Sequence, residues 1–227
     1  MFGQILTLLY PPSCYVCGQA LLQGEKYLCS PCCLSLPICL DAPEKSNWLM
    51  DKQGLGGPGF PMYCFLEFRP QGPAQVLMHA VKYQGAYDLG VWLGEWGARY
   101  SLQQGLQASV DVILPLPLHP QRLRERGYNQ AQAYASGMLK VWKCQAAPAG
   151  LHRARPETSL VGLDKAQRWE RMQGVFEWRA GTALQGARVL LLDDTITTGA
   201  TLLSAAHCLM QEAQPAALVL WAMAGLK

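Results

Sequence analysis

Residues 188–203, RVLLLDDTITTGATLL, run an apolar stretch straight into two adjacent acids and then into a Thr-Thr-Gly turn. Residues 189–192 read as a strand buried on both faces, the pattern of a central strand in a parallel sheet. Such a strand ends at the carboxyl edge of its sheet, where open α/β folds place their ligands. Asp193 and Asp194 are therefore expected at a site, because two carboxylates left unpaired in a dry interior are costly. Gly199 kinks the turn, and from Ala200 the stretch ATLLSAAHCLMQEA has helical periodicity.

The turn itself suggests the ligand. Backbone N–H groups, threonine hydroxyls and the positive end of a helix dipole make a cradle for an anion, best suited to phosphate. Acids beside such a cradle would repel the ligand unless they bind sugar hydroxyls or a divalent cation. The combination asks for a phosphorylated sugar with magnesium. The plain alternative is a threonine-capped strand–helix turn with solvated acids. LLLDDTITTGAT resembles the phosphoribosyl-pyrophosphate (PRPP) loop of type I phosphoribosyltransferases. That resemblance implies that Asp193 and Asp194 bind ribose. It also implies that Thr197, Thr198, Gly199, Ala200 and Thr201 wrap the 5-phosphate.

Nine cysteines are the next constraint. Cys14-x2-Cys17 and Cys29-x2-Cys32 have the doubled layout of a zinc ribbon, each knuckle offering two thiolates to one side of a metal. A structural zinc ion is expected, with Cys32 or the adjoining Cys33 as fourth ligand. Gly18 is expected where a side chain would crowd the thiolates. Cys39, Cys64, Cys144 and Cys208 read as small buried hydrophobes. The opening MFGQILTLLYPP is apolar but too short to span a bilayer and lacks a basic flank, so a cytoplasmic protein with no membrane insertion is expected. A net charge of +3 in 227 residues, without long basic blocks, argues against a dedicated nucleic-acid-binding face.

Residues 1–40 thus form a zinc-finger segment, 41–60 a Gly/Pro-rich linker, and 61–227 the main domain. Strands are expected over 62–68, 109–118, 188–194 and 216–224, and amphipathic helices over 73–82 and 87–104. Trp92 and Trp96, one turn apart, read as packing surface. Strands alternating with helices mean an α/β parallel sheet flanked by helices.

Arg122, Arg124 and Arg126 crowd a basic segment that suits an anionic phosphate chain or, more simply, a solvated turn before a helix starting near Asn129. The ordered set of Cys-x-x-Cys pairs, Lys82-Tyr83-x-Gly85, Pro-x-Pro-Leu, Arg-Gly-Tyr-Asn-Gln and Asp-Asp-x-x-Thr-Thr-Gly is similar to the ComF family (the ComFC and GntX type). The resemblance implies a type I phosphoribosyltransferase-like fold with an N-terminal zinc finger and a link to natural competence and DNA uptake. It places Pro117 and Leu118 in a pyrophosphate loop and residues 152–171 in a flap. Arg122, Arg126, Arg153, Arg155 and Arg168 then become candidates for pyrophosphate. The flap departs from the family pattern at Leu160 and Arg171, where Gln and Asn are usual. PRPP or a related phosphosugar is the expected partner, and any transfer would need an acceptor that the sequence does not name. The alternative is a non-enzymatic scaffold or sensor for competence proteins or single-stranded DNA.

Overall fold

The computed structural model describes residues 11–39, 60–105, 110–155, 174–197 and 199–225. Its strands are β1 (Met62–Glu67), β2 (Val112–Pro115), β3 (Gln145–Ala146), β4 (Leu151–Arg153), β5 (Phe176–Trp178), β6 (Arg188–Ile196) and β7 (Ala217–Gly225). Five of them form a sheet in the order β1-β7-β6-β2-β3, with every pairing parallel. The expected α/β architecture is present. β3 has only two residues, too few to leave a periodic signal. β4 and β5 make a separate antiparallel pair.

Six helices complete the described chain: α1 (Ser30–Leu34), α2 (Pro73–Tyr83), α3 (Tyr87–Gln103), α4 (Pro120–Arg126), α5 (Gln130–Met138) and α6 (Ala200–Glu212). Side chains alternate across a strand, and β6 divides its own accordingly. Leu190 and Leu192 join the core formed with α2, α3 and α5, while Val189 and Leu191 join the core formed with α6 and the β4–β5 pair. From β2 the chain therefore crosses to β3 over one face, and from β6 it crosses to β7 over the other. The sheet reverses its winding between β2 and β6, which is the crevice where open parallel sheets bind ligands.

The cysteine segment lies against this core. Ile38 bridges antiparallel to Leu66, Cys39 N–H donates to Phe65 O at 2.9 Å, and Glu67 N–H donates to Pro37 O at 2.8 Å. The Tyr27 ring packs 5.7 Å from Trp92, which lies 5.1 Å from Trp96, so both tryptophans do serve as packing surface.

Several expectations change. Residues 122–126 are no turn: they lie on α4, ended by Gly127 at φ 78°. The expected flap begins inside a strand, since His152 and Arg153 belong to β4, paired with Glu177 and Phe176. Leu160, Arg168 and Arg171 lie outside the described residues, as do 41–59 of the linker. Phe60, the linker's last residue, is buried with its ring edge-on to His207. Cys208 is buried, but Cys39, Cys64 and Cys144 are only half-buried. Among the described residues no helix is long and apolar enough to cross a membrane.

Candidate functional site

β6 runs further than its apolar run. Its pairing with β2 stops at Pro115 opposite Leu192, and the last bond across that edge is Leu116 N–H to Leu192 O at 2.8 Å. Beyond it β6 continues to Ile196 against β7 alone. Asp193 and Asp194 therefore belong to the strand, at the point where β2 has turned away. The alternation sends Asp194 toward the α2 face and Asp193 toward the α6 face.

The two carboxylates are accordingly held differently. Lys82 Nζ, in the last turn of α2, lies 2.9 Å from Asp194 Oδ2 and donates to Thr195 Oγ1 at 3.1 Å. Asp193 bends back so that Oδ1 accepts the Asp194 N–H at 2.7 Å. Burial pushes Asp193 up to about 7, and the charge of Asp194 adds to the rise. The Asp194 N–H and the charges of Lys82 and Arg153 pull the other way. Lys82 was seen in the sequence only as part of a family motif. A lysine closing a helix already has a simple reason, complementing the helix dipole, so nothing local marked it for a strand far along the chain.

The turn after β6 places Thr197 in solvent and Gly199, buried, at the N-cap of α6 with φ 72°. Thr198 lies outside the described residues. Ala200 and Thr201 start the helix, half-buried, with no acid in the first turn and no side chain capping from Gly199. A left-handed glycine N-cap puts no side chain at the helix end, where the dipole favours an anion.

The remaining candidates are spread around this edge. Pro117 and Leu118 lie half-buried in the connection from β2 to α4. Asn129 ties that connection down, its Nδ2 donating to Leu116 O at 2.9 Å while Oδ1 accepts Ala131 N–H at the N-cap of α5. Arg122 and Arg126 are half-buried on α4. Arg126 Nη1 donates to Gln130 Oε1 at 2.8 Å, and its guanidinium sits 5.4 Å from the Tyr83 ring centre. Arg153 lies over Phe176 at 5.4 Å, with a buried Nε that has no hydrogen-bond partner among the described residues. Arg155 is exposed.

At the other end of the chain the sulfur atoms of Cys14, Cys17, Cys29 and Cys32 all lie within 4.8 Å of one another. Thiolates around zinc at a bond length of about 2.3 Å would stand about 3.8 Å apart on the edges of a tetrahedron. Cys17 Sγ and Cys29 Sγ are 3.6 Å apart, so the four fit such a metal. Cys32 completes the set and Cys33 is outside it. Burial and the facing sulfurs push Cys32 up, whereas at Cys14 backbone N–H donors outweigh burial and bring the thiol to about 6. Four sulfur atoms gathered this closely could hold a metal ion. The reason for Gly18 differs from the expected one. A side chain there would meet nothing within 4 Å; its φ of 75° is what favours glycine, and its N–H donates to Cys14 O at 2.9 Å. Glu25, unnoticed in the sequence, joins the knuckles by accepting Leu22 N–H, Ser30 N–H and Ser30 O–H at 2.6–2.8 Å.

An open parallel sheet with an acid pair at its reversal point, carrying a four-thiol cluster on its flank, defines an α/β protein with an N-terminal metal-capable segment. No family model matches the chain. It is 33% identical over 107 residues to Competence protein ComFC of Bacillus subtilis, a match spanning 46% of this chain and 40% of that one. It is 25% identical to DNA utilization protein YhgH of Salmonella typhi over 90% of this chain and 93% of the relative. With YhgH of Escherichia coli K12 the figures are 23%, 95% and 98%. These relatives support the assignment to the ComF family that the sequence motifs suggest.

Proposed function

We propose that this protein serves DNA uptake or utilisation as a PRPP-binding member of its family, with a structural zinc ion on Cys14, Cys17, Cys29 and Cys32. The observation that carries the ligand reading is β6 itself. It carries two carboxylates past the end of its pairing with β2 and leads through a left-handed glycine into α6, which supports a site for sugar hydroxyls beside one for an anion. Asp193 and Asp194 would hold ribose hydroxyls, residues 197–201 the 5-phosphate, and Arg153 the pyrophosphate end, where a guanidinium suits a polyanion.

Transfer to an acceptor would require a nucleophile to attack the anomeric carbon as the bond to pyrophosphate breaks, the electron pair leaving with pyrophosphate. The test is calorimetric titration with PRPP, with and without Mg²⁺, followed by pyrophosphate release across candidate bases and amines. Binding with release supports a transferase. Binding without release supports a sensor. No binding removes the phosphosugar reading.

One feature favours a surface role beside this. α4 exposes Gln121, Leu123, Arg124 and Glu125, and Tyr83 is 62% exposed beneath Arg126. Single-stranded DNA would meet bases with the ring and phosphates with the arginines. Arg122→Ala/Arg126→Ala should weaken such binding and flatten its salt dependence; unchanged binding and slope would exclude the segment.

A further inference from the structure

We propose that Lys82 is a positioning residue of the candidate phosphosugar site, presenting Asp194 to the sugar hydroxyls by holding one of its two carboxylate oxygens. The proposal rests on the phosphosugar reading above.

Lys82 stands on a fixed base. The preceding Val81 is fully buried, and its carbonyl accepts the Tyr128 hydroxyl. Leu77 and Met78 anchor the same helix in the core. From there the ammonium reaches across to β6, using one proton on Asp194 Oδ2 and another on Thr195 Oγ1. An ammonium has three donors and no acceptor, so it can orient these two groups without competing for a ligand hydroxyl. Asp194 Oδ1 has no hydrogen-bond partner among the described residues. The acid is thus gripped through one oxygen, while the other is unengaged among the described residues.

A purely structural ion pair is the competing account. Such a pair at a half-buried position is weak evidence for stability, because desolvating both charges offsets much of their attraction. Apolar residues would join α2 to β6 at least as well. The pair instead lies where β2 has left the sheet, beside the turn into α6. Asp193 adjoins the pair on β6, and the charges of Lys82 and of Arg153 on β4 act in turn on Asp193. The charge of Asp194 also reaches the buried Tyr134 of α5, whose hydroxyl is spent on Met78 Sδ at 3.3 Å.

The experiment compares wild type, Lys82→Met and Lys82→Arg in full-length, metal-loaded protein by titration with PRPP, ribose 5-phosphate and inorganic phosphate. Loss of one charge-assisted grip on Asp194 should weaken PRPP and ribose 5-phosphate about ten-fold. Inorganic phosphate, which does not use the acid pair, should bind as before, and Lys82→Arg should recover most of the loss because it keeps the charge. Should Lys82→Met fail to fold, Lys82→Gln carries the same comparison. Equal PRPP affinity in wild type and Lys82→Met would overturn the role of Lys82 alone. So would a loss shared equally by inorganic phosphate. Wild type that binds neither phosphosugar overturns the underlying reading, and the role of Lys82 with it.

Discussion

Lys82 Nζ and Asp194 Oδ2 stand 2.9 Å apart, joining the last turn of α2 to the one stretch of β6 that has lost its neighbour on the β2 side. The pair separates two acids that are adjacent in sequence. Asp194 has Lys82 as a direct ion-pair partner, while at Asp193 burial and the charge of Asp194 outweigh the Asp194 N–H and the more distant Lys82 and Arg153.

That asymmetry makes Asp193 a source of pH dependence. Its folded-state value, about 7, lies above the 3.8 of an ordinary aspartate, so the native state binds the proton more tightly than the unfolded chain. The resulting stability is present below about pH 4 and is lost as pH rises through about 7. Asp193→Asn should therefore melt above wild type at about pH 8, by on the order of 1 kcal/mol, with the gap closing toward about pH 5. Thermal melts across that range check it. A variant less stable than wild type at the alkaline end would contradict the assignment.

Gly199 should be intolerant for a conformational reason. At φ 72° a β-branched side chain is strained, whereas asparagine adopts this region more readily. Gly199→Val is expected to abolish binding of PRPP, ribose 5-phosphate and inorganic phosphate together, and Gly199→Asn to retain part of all three. Selective loss of PRPP alone would show that the turn is not the phosphate cradle.

The cysteine segment should hold about one zinc per chain. Cys17→Ser or Cys29→Ser should lose the metal, and Cys33→Ser should keep it, as measured by elemental analysis of purified protein. Chelation should also change tryptophan emission, because Tyr27 of the segment packs on Trp92 of α3. Full metal content in the Cys17→Ser/Cys29→Ser double variant would refute the site.

Two glycines let α3 and α5 approach closely. A Cβ at Gly94 would run into the Tyr134 carbonyl, and one at Gly137 into the Val91 carbonyl, both backbone atoms that cannot swing aside. Gly94→Ala should cost about 3 kcal/mol or more. Gly97→Ala is the control. Its Cβ would sit 3.4 Å from the Phe65 ring and 3.6 Å from Met223 Cε, so the helix gain of up to about 1 kcal/mol should largely survive. Denaturant unfolding of the two variants decides the matter, and equal midpoints would mean the helices can slide apart.

The sequence determined by itself whatever is encoded within a few neighbouring residues. Residues 189–192 are apolar without alternation, and that alone marks a strand buried on both faces. The doubled Cys-x-x-Cys spacing likewise fixes two knuckles able to share one metal. The helical periods at 73–82 and 87–104 agree with α2 and α3 to within a residue. What lies far apart in the chain was decided only by the tertiary structure. Lys82 reads locally as an ordinary end of an amphipathic helix, and it meets Asp194 only because α2 packs beside β6. Cys32 displaces Cys33 because α1 aims one sulfur, and not its neighbour, at the other three. The two acids look alike in sequence, yet the alternation of β6 and the departure of β2 give them different faces and different partners. Short-range pattern specifies an element, but the field around a charge is set by every element packed against it.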